Sequence, residues 1–155
     1  MDINYKLVSE FTYPEKSIVW SYRMWVKLIS IAKDPRQTLI KKFSQSLVQE
    51  AVYHFDKFMR ITAYNAYRPV DIRFPCCLYI GEGELEILST LSFSQGNFHE
   101  LKEILLNRWI PKNSIKDASN SIDEIAKSFA KAGLFFLFTM SILNQWKLIQ
   151  KILKM

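Results

Sequence analysis

Few residues in this chain have the types and spacing that chemistry requires. Each of the two histidines stands four positions from a glutamate, Glu50 with His54 and His99 with Glu103, and one helical turn brings each pair onto a common face. Side by side, two such helices would offer two imidazoles and two carboxylates, a ligand set suited to zinc or iron. Carboxylate-rich metal bundles instead use Glu-x-x-His with further glutamates, a spacing missing here. Exposed pairs that complement charge along a helix explain the four residues more simply, and no cofactor is expected.

Cys76 and Cys77 are adjacent and are the only cysteines. Structural zinc takes about four ligands, and redox dithiols usually have two residues between their sulfurs, so the pair reads as buried or half-buried inert thiols. Gly81-Glu82-Gly83-Glu84 superficially resembles a phosphate-cradling turn. It lacks the third glycine of a dinucleotide fingerprint and the Lys-Ser/Thr of a P-loop, and Glu82, Glu84 and Glu86 would repel phosphate. Acids suit the positive end of a helix, so these residues are expected to begin one. There is no G-x-S-x-G elbow, and the three glutamates lack a sugar-binding context. A non-catalytic protein is predicted.

The net charge of +6 admits nucleic acid or an anionic membrane as partner. The acid is concentrated in the middle, and none follows Glu124. Aromatics lie among the basic residues at Tyr22-Arg23-Met24-Trp25 and Lys42-Phe43, as they do in proteins that stack single-stranded bases. They also fall at core-facing helical positions, which argues against nucleic acid. The C-terminal segment is apolar and basic, and Leu134, Phe135, Phe138, Trp146, Lys147, Lys151 and Lys154 form its candidate interaction surface. Such a helix docks on a protein partner or a second copy of the chain; the alternative is an anionic bilayer. The longest uncharged run, Ala132 to Trp146, is shorter than the roughly 18 residues of a spanning helix. With no leader-like N-terminus and no disulfide framework, a cytoplasmic setting is expected.

The positioning elements follow from periodicity and punctuation. Thr12, Pro14 and Glu15 mark a helix start, and the helix runs to about Lys33 with Lys16, Arg23, Lys27 and Ser30 on a polar face. Asp34-Pro35 opens a second helix, carried by Leu39, Phe43, Leu47, Ala51, Phe55, Phe58 and Thr62 to about Asn65, with a possible break near Tyr53-His54. Pro69 to Gly83 forms an extended connector. Glu84 to Phe93 is a short helix ended by a left-handed Gly96, and Asn97 caps a second short helix that Pro111 closes. From Asn113 or Ser114 a long last helix bends at Gly133, where the dense Leu134 to Phe138 block is expected to be buried. These features predict an all-α fold in a single domain, residues 1–155: an irregular bundle of about five helices with one extended central connector. The expected role is a protein-interaction or regulatory module.

Overall fold

The computed structural model describes residues 7–45, 48–137 and 154. Among them are six α-helices and no strand: α1 (Tyr13–Ser30), α2 (Arg36–Ser44), α3 (Ala51–Asn65), α4 (Glu82–Gln95), α5 (His99–Leu106) and α6 (Lys112–Lys131). The all-α class stands, with one helix more than expected. Each helix sends residues to a common apolar core that includes Tyr22, Leu39, Phe55, Leu88, Leu106 and Ile122.

The extra helix arises because the expected helix over 34–65 breaks between Ser44 and Ala51, ahead of Tyr53-His54. The Val48 N–H donates to the Phe43 carbonyl at 3.0 Å and closes the end of α2. On a straight helix, Phe43 and Phe55 would lie about 18 Å apart along the axis. The turn folds them together edge-on, with ring centroids 5.8 Å apart, and the ring of Phe129 from α6 meets Phe43 in the same way. The break lets one aromatic cluster join α2, α3 and α6. α2 itself starts one residue after Pro35, where the Asp34 carboxylate accepts the Arg36 N–H and guanidinium and is held at a pKa of about 2 by that residue.

α1 begins as expected, with the Thr12 N–H donating to Glu15 Oε1 at 2.9 Å. It ends at Ser30, before Lys33, as Ala32 turns left-handed at φ 58°. Of its apolar residues, Ile18, Tyr22 and Trp25 are buried, whereas Trp20 and Ile31 are exposed. Between α4 and α5 the left-handed residue is Asn97, at φ 62°; Gly96 has φ −85°, and Phe98, not Asn97, immediately precedes α5.

The last helix also departs from expectation. α6 stops at Lys131, and Gly133, at φ 74°, takes a left-handed conformation that favours glycine, while the Leu134 N–H reaches back to the Phe129 carbonyl at 2.9 Å. The chain therefore leaves the helix instead of bending within it. In the block that follows, Phe136 is buried, Leu134 is half-buried, and Phe135 and Leu137 are each 51% exposed, so the expected full burial fails. Among the described residues, no helix is long and apolar enough to cross a membrane.

Candidate functional site

The connector from Pro69 to Gly83 runs over the start of α4 and the outer side of α1, and a buried charge pair holds it down. Arg23 projects from α1 under the loop. Its Nε donates to Glu84 Oε2 at 2.6 Å and its Nη2 to Glu84 Oε1 at 2.8 Å, a two-pronged pair in which the side chains are only 3% and 0% exposed. The same guanidinium donates to the carbonyls of Cys77 at 2.6 Å and Tyr79 at 2.9 Å. Glu84 Oε1 also accepts the Gly81 N–H at 2.7 Å, and the Tyr22 hydroxyl donates to the Glu84 carbonyl at 3.0 Å. One arginine thus fastens α1, the loop and the first turn of α4 together.

This surrounding perturbs its groups in definite directions. Burial, with the Glu84 charge added, pushes the Tyr22 hydroxyl well above its ordinary pKa. Burial acts to lower that of Arg23, but the hydrogen bonds and charge of Glu84 outweigh it and raise the guanidinium's pKa. Glu84 is occupied on both oxygens, so the arrangement suits positioning and leaves no carboxylate oxygen poised to take a proton from a substrate.

The glycines that resembled a phosphate cradle serve close packing. A side chain at Gly83 would meet Val70 Cγ1 at 2.5 Å and the Asp71 backbone nitrogen at 2.6 Å, and one at Gly81 would meet the Asp71 carbonyl oxygen at 2.7 Å. With the glycines in place, Glu84 N–H donates to the Asp71 carbonyl at 3.2 Å and Glu82 N–H to the Asp71 carboxylate at 3.1 Å. The expectation that Glu82 and Glu84 open a helix holds, though Glu84 also makes the buried pair.

The upper side of the loop is different. Phe74 is 82% exposed and Leu78 69%, while an antiparallel bridge between Leu7 and Tyr79, with Val8 N–H donating to the Leu78 carbonyl at 2.8 Å, keeps the segment extended. A cleft of about 620 Å³ lies between this loop, residues Leu7 to Ser9 and α1. Trp20 and Leu78 give it apolar walls, and its charged lining among the described residues is cationic: Lys16, Lys42 and the paired Arg23. The Lys42 ammonium lies 5.7 Å from the Tyr13 ring centre and 5.4 Å from that of Trp20, within cation–π range.

Other residues singled out from the sequence fall elsewhere. Glu50, His99 and Glu103 are exposed and His54 is half-buried against the Tyr53 ring; no group of three or more His, Cys, Asp or Glu able to hold a metal forms among the described residues. His99 instead adjoins Lys102, which is 2% exposed and donates to Asp123 Oδ1 at 2.6 Å beside the Ser94 hydroxyl. Tyr22, Trp25 and Phe43 are buried, and the Trp25 indole N–H donates to Asp56 at 2.8 Å. Of the C-terminal surface, Leu134 packs on the core, Phe135 is exposed and Lys154 is exposed; Phe138, Trp146, Lys147 and Lys151 lie outside the described residues.

Sequence reasoning placed Arg23 on a polar helix face, and the structure corrects this. Helical phase sets Arg23 beside Tyr22 and four positions before Lys27, which reads as exterior, but α4 and the loop cover that flank. An acid at the third position of the coming helix was the one available signal for its partner. Trp20, Phe74 and Leu78 were missed as surface residues because they resemble core residues in type. Set against known proteins, the chain matches no family model, no curated protein and no solved structure.

Proposed function

We propose that this protein is a non-catalytic interaction module that docks an apolar peptide segment carrying acidic residues in the cleft between α1 and the 74–79 loop. The observation that carries the reading is an apolar rim held in a fixed shape. Leu78 lines the cleft and stands in solvent, with Phe74 exposed nearby on the same loop, while the loop beneath them is clamped by Arg23. Exposed apolar patches of this kind mark contact surfaces, and a rigid loop spends little ordering entropy on binding. The cationic lining from Lys16 and Lys42, with no acid among the described lining residues, selects the acidic character of the occupant. A cytoplasmic setting accords with the two unpaired thiols.

Display of random peptides against the full chain tests this. The expected outcome is enrichment of sequences that combine aromatic or aliphatic anchors with Asp or Glu, whose binding is lost on Leu78→Ser and weakened on Lys42→Glu. No enrichment, or binding that survives both substitutions, overturns it.

A second reading is favoured by Phe135 and Leu137, both half exposed at the start of the basic C-terminal segment: association of that segment with an anionic membrane surface. Flotation with phosphatidylserine vesicles checks it. Binding is expected to fall on Phe135→Ser with Leu137→Ser, and no flotation rejects it.

A further inference from the structure

The two thiols lie where the clamped loop is open to solvent. Cys77 is half-buried as expected, but Cys76 is exposed, because the loop turns it towards solvent, and both line the cleft. The Cys77 thiol donates to the Tyr79 carbonyl at 3.5 Å, its N–H closes a turn on the Phe74 carbonyl at 3.0 Å, and its carbonyl accepts from Arg23 Nη1 at 2.6 Å. Neither sulfur is in a disulfide. The accessible sulfur therefore has a second thiol beside it, and that second residue is part of the clamp.

We propose that Cys76 and Cys77 form a thiol-oxidation site that closes to a disulfide by exchange with a low-molecular-weight disulfide. The Cys76 sulfur attacks one sulfur of the reagent RSSR, whose S–S bond breaks; one RS group leaves and takes up the Cys76 proton. The Cys77 sulfur then attacks the Cys76 sulfur, the second RS group leaves, and it takes up the Cys77 proton. Two thiols lose two electrons and two protons, and the reagent is reduced to two RSH.

Adjacent Cα atoms are about 3.8 Å apart across a trans peptide, short of the roughly 4.4–6.8 Å usual for a disulfide. The closed ring is therefore strained and readily reduced, the behaviour of a regulatory bond. Ring closure fixes rotation about the Cys77 N–Cα and Cα–Cβ bonds. The Cys77 N–Cα rotation carries the carbonyl that accepts from Arg23, so a change there is expected to displace that carbonyl and loosen the neighbouring Val8–Leu78 hydrogen bond.

The full, reduced chain is treated with oxidised glutathione and followed by intact mass and by hydrogen exchange. The expected product is lighter by two hydrogen atoms, monomeric, restored by dithiothreitol, and faster in exchange at the Val8 amide. Cys77→Ser is expected to retain a glutathione adduct on Cys76 that the native chain resolves. Unreacted thiols, a lasting adduct on the native chain or a sulfur-linked dimer overturns the site, and unchanged Val8 exchange in the oxidised form overturns its link to the clamp. These measurements read thiol oxidation and amide exchange and not the docking of displayed peptides, so this inference and the docking reading fail separately.

Discussion

α2 meets α3 and α6 through packed aromatic rings, whereas α1 meets α4 through a buried ion pair, and the two interfaces obey different rules. Between α2, α3 and α6 the Phe43, Phe55 and Phe129 rings interlock edge to face. Such a cluster is held by area and shape, and a residue of similar volume substitutes at modest cost. Between α1 and α4 the Arg23 fork reaches four acceptor sites in two other segments. Here the geometry of each donor matters, because a charge left unpaired in the interior retains its desolvation cost. Apolar packing brings those helices together; the charge pair fixes which turn of α4 faces α1 and where the loop lies.

Removing one partner of the charge pair gives the largest expected effect. Glu84→Ala leaves Arg23 buried without its carboxylate and should cost about 3–5 kcal/mol in urea unfolding. The double change Arg23→Met with Glu84→Leu should restore most of that stability while loosening the loop, seen as faster exchange at the Val8 amide. If the double variant is no more stable than the single one, the pair is not the reason for the loss.

Next come the conservative substitutions. Arg23→Lys keeps the charge but loses the planar fork and with it most of the four bonds, for a cost of about 2–3 kcal/mol. Phe129→Leu retains most of its apolar volume and should cost about 1–1.5 kcal/mol. Equal costs would erase the distinction between the interfaces. An effect smaller than that of Arg23→Lys and similar to that of Phe129→Leu is expected on the far side of α4: Asp123→Ala deprives the buried Lys102 ammonium of its acceptor, but Asp123 is about one-third exposed, so water offsets part of the loss and about 1–2 kcal/mol remains.

This contrast also accounts for what the sequence made legible. The seam Ala118, Ile122, Ile125 and Phe129 of α6 and the stripe Ile18, Tyr22 and Trp25 of α1 recur every three or four residues, and all are buried. Periodicity reports an apolar face directly. It cannot report that Arg23, in phase with solvent-facing lysines, is covered by a segment more than fifty residues away. The break after Ser44 was hidden for a related reason: Leu39, Phe43, Ala51 and Phe55 stay in helical phase across it, and the contacts that favour the turn, Phe43 with Phe55 and with the distant Phe129, form only once the chain has folded back. The glycines at 81 and 83 announced a special backbone, but their cause, the approach of Val70 and Asp71, lies outside their local sequence. The candidate site was the least legible part, since Phe74 and Leu78 differ from core residues in exposure and not in type.

The smallest expected effect concerns Glu86, the other buried carboxylate of α4, whose partner Arg108 comes from the turn after α5. Burial raises its pKa above the ordinary carboxylate value, and the Arg108 charge opposes the shift without cancelling it. The folded chain therefore holds this proton more tightly than the unfolded chain. That contribution to stability is full below the unfolded value of about 4.3 and is lost as pH rises through the folded pKa. Glu86→Gln removes the titration, so the stability of the native chain relative to this variant should fall as pH rises from the unfolded value through the raised folded pKa. The change should be a fraction of the Glu84→Ala loss. Glu84, paired through both oxygens with Arg23, should have its replacement felt at neutral pH as a large loss. A rising curve for Glu86 would mean that the Arg108 charge outweighs burial at that carboxylate.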